Sequence, residues 1–190
     1  MQIETTPLKG VLVIRPKAYA DERGFFLETY QAQRYEEAGI PASFVQDNCS
    51  RSARHVLRGL HAQPGQPQGK LVRVSSGAVW DVAVDPNPTS QTYKQWFGLE
   101  LSDTNHLQLY VPPGYLHGFV TLSETADLNY KCTDFYAPAS EGAVVWNDPD
   151  IAIDWPTREP ILSPADADNG SFADYVSTYC ASSKNQSSPA

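Results

Sequence analysis

The chain has 190 residues, of which 41% are hydrophobic and 19% charged, so it is long enough for one domain with a substantial core and has a globular composition. Its net charge of −8, without a basic stripe, argues against a nucleic-acid partner, whereas a phosphorylated ligand needs only a few cations. No apolar run approaches the roughly 20 residues that span a bilayer. The first residues lack a secretory signal and the three cysteines are widely separated, which predicts a cytoplasmic protein with reduced thiols and no membrane partner.

Short strand-like segments dominate the chain and are separated by Gly, Pro, Asn and Ser. Strands are predicted at 11–14, 25–30, 44–46, 56–61, 70–74, 78–84, 96–101, 107–111, 118–122, 128–131 and 144–146. One short helix is predicted over 33–38, because Gly39 and Pro41 give stop signals. This pattern predicts a single all-β sandwich or barrel domain over 1–180, followed by a disordered polar tail at 181–190.

Five polar side chains interrupt segments that otherwise resemble core strands: Arg58, His61, Asp81, His117 and Tyr130. Each by itself is explained by a half-exposed strand. Taken together, they favour a barrel in which one strand face lines a polar pocket.

Arg58 and His61 allow a geometric test of that pocket. Strict alternation along a strand places them on opposite faces. If both line one pocket, a bulge or break near Gly59 must redirect the chain.

The stretch 112–117 resembles the second cupin motif, in which a Pro-x-Gly-x-x-His turn presents a metal-binding histidine. The first cupin motif supplies His-x-His and then a glutamate, but here His61 is followed by Ala62 and Gln63, and no glutamate follows before Glu100. Two histidines with a distant acid hold a divalent metal poorly. The sequence therefore predicts a cupin barrel with no metal.

Many segments in consistent order resemble one family, the dTDP-4-dehydrorhamnose 3,5-epimerases. The resemblance runs from about Leu8 to Asp166. It is carried by DERGFFLE (21–28), FVQDNCS (44–50), LRGLHAQ (57–63), QGKLVRV (68–74), DVAVD (81–85), PPGYLHGF (112–119), YKCT (130–133), EG (141–142), WNDP (146–149) and IDWP (153–156).

The resemblance implies a cupin-type jelly-roll barrel, usually a homodimer, that needs no cofactor. It implies a dTDP-ketosugar substrate, dTDP-4-dehydro-6-deoxy-D-glucose, which becomes dTDP-4-dehydro-L-rhamnose by inversion at carbons 3 and 5. A proton next to a ketone can be removed when the developing enolate oxygen is stabilised. Inversion then needs a base on one face of the sugar and a proton donor on the other.

The resemblance also implies catalytic roles. His61 is the base and Asp166 orients it, while Tyr130 is the general acid on the opposite face. Lys70 stabilises the negative charge on the ketone oxygen. The alternatives are that Lys70 is a surface lysine and that the hydroxyl of Tyr130 is satisfied by the backbone in the core.

For substrate binding, the resemblance assigns Asp81 and His117 to a supporting pair in the pocket. The other assigned residues are Arg23 and Arg58 at the pyrophosphate, Glu28, Gln46 and Asn48 around the nucleoside, and Phe26 against the base. Arg23 and Glu28 could instead form a structural salt bridge with each other.

Several positions depart from the family pattern. Ala62 stands where an aromatic residue is common, Ala165 where a lysine is frequent, and Phe135 where a tyrosine often precedes Tyr136; the 85–88 stretch also differs. These departures leave open an epimerase that inverts only one centre of a related dTDP-4-ketosugar. A non-catalytic sugar-nucleotide-binding cupin and a metal-dependent cupin oxygenase are the alternatives from other classes.

Overall fold

Two antiparallel β-sheets form the framework of the structure, a computed structural model that describes residues 1–41 and 43–180. The strands are β1 (Gln2–Thr5), β2 (Leu12–Arg15), β3 (Ala18–Asp21), β4 (Gly24–Leu27), β5 (Gln46–Ala53), β6 (Leu57–Ala62), β7 (Lys70–Ser76), β8 (Ala78–Val84), β9 (Trp96–Ser102), β10 (Gln108–Val111), β11 (Leu116–Thr121), β12 (Thr125–Cys132) and β13 (Gly142–Ala143). The larger sheet has the order β1-β2-β10-β7-β12-β5 and the smaller one β13-β6-β11-β8-β9. Strands β3 and β4 form a separate hairpin.

The helices are short: α1 (Ala32–Glu37), α2 (Pro164–Ala167) and α3 (Phe172–Tyr175), with a 3-10 turn (Pro138–Ser140) and a π-helical turn (Val176–Cys180). Among the described residues no helix has the length and apolar character needed to cross a membrane. The predicted all-β architecture with a few short helices is confirmed. The predicted tail at 181–190 lies outside the described residues.

Some element boundaries differ from the sequence prediction. Strands β1 and β3 were not predicted, because both are largely exposed and carry little apolar pattern. Strand β5 extends to Ala53 and begins only at Gln46, so the prediction at 44–46 caught only its first residue. The edge of the smaller sheet is formed by Gly142–Ala143 rather than by a strand at 144–146.

Apolar side chains fill three layers. The space between the sheets is filled by residues such as Val72, Leu109 and Leu128. The C-terminal segment covers the outer face of the smaller sheet with Phe172 and Tyr175, and α1 covers part of the larger sheet. Because both faces of β8 and β11 are covered, these strands are buried over nearly their whole length.

Along several strands, the inward-facing row changes from apolar to polar. On β7 the row runs from Val74 and Val72 to Lys70, and on β12 it runs from Leu128 to Tyr130. Since side chains alternate with a period of two, these polar groups share a face with the core but lie beyond it. The barrel interior therefore ends in a polar cavity.

The predicted irregularity near Gly59 is confirmed. In the pairing of β6 with β11, His61 lies opposite His117 but Arg58 lies opposite Phe119, so β6 contains one extra residue. A β-carbon on Gly59 would lie 2.6 Å from the Gly118 Cα, which is too close for any other residue. The bulge lets both Arg58 and His61 line one cavity.

Candidate active site

Two cavities of about 350 and 260 Å³ lie at the polar end of the barrel interior. They share five lining residues: His61, Lys70, His117, Tyr130 and Glu141. They therefore form one continuous space.

His61 on β6 is half-buried at this cavity, and its side chain is bonded to a carboxylate. Its Nε2 lies 2.6 Å from Oδ1 of Asp166, whose Oδ2 accepts a hydrogen bond of 2.8 Å from the hydroxyl of Ser163. The predicted pairing of His61 with Asp166 is therefore present.

Local structure in the C-terminal segment positions Asp166. The backbone of Ile161 bonds on both sides, to His55 and Leu57, and so ties the segment to the start of β6. Ser163 then caps α2 by accepting a hydrogen bond from the Asp166 amide. The cap fixes Asp166 in the first turn of the helix, with its carboxylate aimed at His61.

The ionisation state of Asp166 determines which ring nitrogen of His61 carries the proton. Burial disfavours the charged carboxylate, but hydrogen bonds from His61 and Ser163 outweigh it and hold the pKa of Asp166 below its ordinary value. Because an ionised carboxylate only accepts hydrogen bonds, Nε2 of His61 carries the proton. The lone pair that can take up a substrate proton is then on Nδ1.

A second histidine–aspartate pair lies beside the first. Nε2 of His117 on β11 lies 2.9 Å from Oδ1 of Asp81 on β8, within hydrogen-bond distance, and both side chains are buried. Oδ2 of Asp81 is buried and has no hydrogen-bond partner among the described residues. The predicted His117–Asp81 pair is present, with His117 at the cavity wall.

Lys70 begins β7 and lines both parts of the cavity. It has no ion pair or hydrogen bond to any described residue. Burial lowers its pKa, which nearby Cys132 and Asp81 partly counteract. Lys70 is thus not the surface lysine of the alternative interpretation.

The phenol of Tyr130 also makes no hydrogen bond to the described residues, so the alternative of a hydroxyl satisfied by the backbone is wrong. Burial raises the pKa of Tyr130, Cys132 raises it further, and Arg58 opposes the rise. The group therefore stays protonated at neutral pH and can act as a proton donor.

The cavity combines a carboxylate-backed imidazole, an unpaired amine and a protonated phenol. This set suits proton removal from carbon next to a carbonyl, with the amine stabilising the developing oxyanion. Within residues 1–41 and 43–180, no cluster of three or more His, Cys, Asp or Glu side chains has the arrangement of a metal site.

Comparison with known proteins identifies the family. The family model described as dTDP-4-dehydrorhamnose 3,5-epimerase matches residues 5–174. The dTDP-4-dehydrorhamnose 3,5-epimerase of Pseudomonas aeruginosa is 51% identical over 176 residues, covering 92% of this chain and 97% of that protein. The chain belongs to the dTDP-4-dehydrorhamnose 3,5-epimerase family.

Two further relatives bear on the fold and on the reaction. The crystal structure of the dTDP-6-deoxy-D-glucose-3,5-epimerase of Legionella pneumophila, in complex with dTDP-4-keto-L-rhamnose, is 51% identical; the match has a TM-score of 0.88 and covers 90% of this chain and 93% of that one. A dTDP-4-dehydrorhamnose 3-epimerase of Streptomyces niveus is 42% identical, covering 88% of this chain and 82% of that protein. The predicted family and cupin-type fold are confirmed.

Three of the predicted nucleotide-binding residues of this epimerase lie at the cavity. Gln46 and Asn48 line it from β5 and are hydrogen-bonded to each other at 3.0 Å. Arg58 lines it from β6. The structure therefore brings these three together with the predicted catalytic residues.

Arg23, Phe26 and Glu28 do not line the cavity of their own chain. Arg23 and Phe26 lie on the exposed β3–β4 hairpin, and Phe26 is 69% exposed. The alternative salt bridge between Arg23 and Glu28 is wrong, because Arg23 pairs with Asp21 at 2.6 Å and Glu28 with Arg34 at 2.8 Å.

Two residues that contribute to the site were not predicted from the sequence. Glu141 lines both parts of the cavity and accepts a hydrogen bond of 3.0 Å from the Tyr136 hydroxyl. Ser163 holds Asp166. The Ser-x-x-Asp spacing of Ser163 and Asp166 is a helix-capping signal that could have revealed the role of Ser163. Glu141 belongs to one of the segments that carry the family resemblance, and that segment could have pointed to it.

Proposed function

We propose that the chain converts dTDP-4-dehydro-6-deoxy-D-glucose into dTDP-4-dehydro-L-rhamnose by inverting carbons 3 and 5 of the sugar. The observation that carries this proposal is the convergence of His61, Lys70 and Tyr130 on one cavity, with Asp166 bonded to His61. Membership of the family supports the substrate class.

The two sheets supply the two faces that inversion requires. His61 extends from β6 of the smaller sheet and Tyr130 from β12 of the larger one, so they approach the interior from opposite sides. His61 Nδ1 takes the proton next to the ketone, and the electron pair moves to the ketone oxygen beside Lys70. The phenol of Tyr130 then delivers a proton to the same carbon from the other face, and solvent exchange restores both groups.

Arg58, Gln46 and Asn48 are proposed to bind the nucleotide. A guanidinium suits phosphate oxygens because it presents paired donors and a permanent charge. The Gln46–Asn48 amide pair supplies donors and acceptors for the nucleoside. The substitution Arg58→Ala should raise the Kd for dTDP, as measured by calorimetry.

We further propose a homodimer in which the β3–β4 hairpin reaches the partner's site. Phe25 and Phe26 are 59% and 69% exposed, an apolar surface suited to a partner. This arrangement reconciles the predicted substrate roles of Arg23, Phe26 and Glu28 with their distance from their own cavity.

Mixed dimers test the hairpin arrangement. Chains carrying Arg23→Ala are combined with chains carrying His61→Ala, each of which is impaired alone. If the hairpin serves the partner, one site in the mixed dimer has both native residues and activity returns. If the hairpin serves its own chain, both sites stay impaired.

A cytoplasmic location is proposed on the state of the thiols. Cys49 is exposed and Cys132 is buried, and neither forms a disulfide in the described parts of the chain. Reduced thiols are typical of a reducing compartment. Fractionation of the native cells with detection of the protein tests this location.

Isotope exchange tests the reaction. Enzyme and dTDP-4-dehydro-6-deoxy-D-glucose are incubated in deuterated water, and labelled positions are counted by NMR. Deuterium at carbons 3 and 5 is expected; its absence from both would leave a non-catalytic binding protein. Tyr130→Phe should still exchange a proton yet fail to complete inversion.

A single-centre epimerase is the second candidate. It is favoured by Ala165, which lines the cavity where the family pattern often has a lysine, and by the 42% identity to a 3-epimerase. Label at only one carbon would establish it.

We propose that both reactions proceed without a metal. Nε2 of each cavity histidine is bonded to a carboxylate, and Ala62 and Gln63 occupy the remaining first-motif positions. Treatment with a chelator should leave the exchange rate unchanged, and a loss restored by a divalent metal would revive the metal-dependent alternative.

A further inference from the structure

Arg58 differs from most arginines of this acidic chain. Five others pair with carboxylates at 2.6–3.4 Å: Arg15, Arg23, Arg34, Arg51 and Arg54. Among the described residues no carboxylate lies within ion-pair distance of Arg58, although the chain has 22 acidic residues. The charge of Arg58 is therefore not neutralised by the protein.

A neutral side chain holds Arg58 instead. Its Nε donates a hydrogen bond of 3.0 Å to Oγ of Ser52, which is 3% exposed. Ser52 lies on β5 of the larger sheet and Arg58 on β6 of the smaller one, so this bond crosses between the sheets. It ties Arg58 to the strand that also carries Gln46 and Asn48.

The position of the bond on the guanidinium matters. Nε is the donor nearest the stem, so anchoring it fixes the plane of the group and leaves the two terminal nitrogens for a ligand. A free arginine side chain samples many rotamers, and part of this conformational entropy is lost when it binds a ligand. A hydroxyl reduces this loss without competing for the charge, whereas a carboxylate would compete with a phosphate.

We propose that Ser52 is a positioning residue that pre-orients the Arg58 guanidinium for the diphosphate of the substrate. This inference rests on the proposed role of Arg58 in nucleotide binding. Ser52 itself touches neither the sugar nor the reacting carbons, so it affects binding and not proton transfer.

A double-mutant cycle tests the proposal, with dTDP as the ligand and calorimetry as the readout. Ser52→Ala should raise the Kd about 3- to 10-fold, which lies in the lower part of the coupling range of contacting residues. In the Arg58→Ala background the same change should have no effect, because no guanidinium remains to be oriented. In steady-state kinetics KM should rise with kcat within about twofold, as expected for the loss of uniform binding.

Ser75→Ala is the matched control. It also removes one strand hydroxyl that accepts a single hydrogen bond, from Asn129 at 2.7 Å, but on the exposed side of the sheet. Its Kd for dTDP should equal that of the wild type. Should Ser52→Ala fail to fold, Ser52→Cys keeps the size of the side chain with a poor acceptor and replaces it in the cycle.

The outcomes distinguish a failure of the proposed role of Arg58 from a failure of the proposed role of Ser52. No change in Kd for Arg58→Ala would remove the proposed role of Arg58 and the inference with it. A weakened Arg58→Ala with an unchanged Ser52→Ala would overturn the inference alone. Equal losses of affinity from the Ser52 change in both backgrounds would show that Ser52 acts on binding independently of Arg58, and would also overturn the inference.

Discussion

The two histidine–aspartate pairs lie on adjacent strands but differ in environment. The His61 side chain is 34% exposed and its carboxylate comes from α2, far along the chain, whereas the His117 side chain is 9% exposed and its carboxylate comes from the neighbouring strand β8. Both oxygens of Asp166 have partners, but Oδ2 of Asp81 has none. A base must reach its substrate. The His61–Asp166 pair is therefore suited to proton transfer, because its imidazole is the more exposed one and both oxygens of its carboxylate are hydrogen-bonded. The buried pair is suited to holding the cavity wall.

The largest effect is expected from His61→Asn, which removes the base and keeps a polar side chain of similar size. We expect the exchange rate to fall by at least the roughly 100- to 10,000-fold typical of acid–base residues. Deuterium incorporation at saturating substrate measures it. His117→Asn is the matched variant on the other pair, and its loss should be clearly smaller. Similar losses in both variants would end the distinction between the pairs.

Asp166→Asn should have the next largest effect on rate. The amide cannot stabilise the imidazolium that forms when His61 takes a proton, so a charge-assisted hydrogen bond of about 1.5–3 kcal/mol is lost in the transition state. At about 1.4 kcal/mol per factor of ten, the expected loss in kcat is roughly 10- to 100-fold. Wild-type kcat in this variant would contradict the role of Asp166.

The sequence predicted the apolar strands and the pocket better than the exposed or polar elements, for a physical reason. Strands such as β8 and β10 are buried on both faces and stand out as apolar runs. Strand β5 was misplaced because its inward face is lined by polar residues, from Gln46 to Ser52, which is a consequence of the cavity and not of the core.

The catalytic residues were predicted from the family resemblance, because a single sequence does not show which distant residues meet in the fold. Nothing local links Asp166 to His61, which precedes it by 105 residues. The bulge at Gly59 was predictable because strand alternation conflicted with a shared pocket. The position of the β3–β4 hairpin away from its own cavity was not predictable. The sequence around Arg23 and Phe26 does not indicate which surface these side chains face.

Unlike the two variants above, Asp81→Asn should affect the free energy of unfolding more than the reaction rate. Asparagine keeps an oxygen that can accept a hydrogen bond from His117 but removes the negative charge, so a charge-assisted hydrogen bond becomes a neutral one. The difference between the two kinds of bond is about 1 kcal/mol of unfolding free energy. We expect that loss in urea unfolding together with a rate loss below about tenfold, and the opposite pattern, a large rate loss at full stability, would make Asp81 the catalytic partner.

The smallest effect is expected in the pH dependence of stability. Burial raises the pKa of Asp166, but the hydrogen bonds from His61 and Ser163 together outweigh burial, so the folded-state pKa is lowered. Such a carboxylate adds stability above its unfolded pKa of about 4, and this contribution disappears as the pH falls through the lower folded value. The stability advantage of the wild type over Asp166→Asn, measured by urea unfolding, should therefore shrink as the pH falls below about 4. An advantage that grows as the pH falls below about 4 would mean that Asp166 is bound in its protonated form, and Nε2 of His61 would then lack the anionic acceptor that leaves the lone pair on Nδ1.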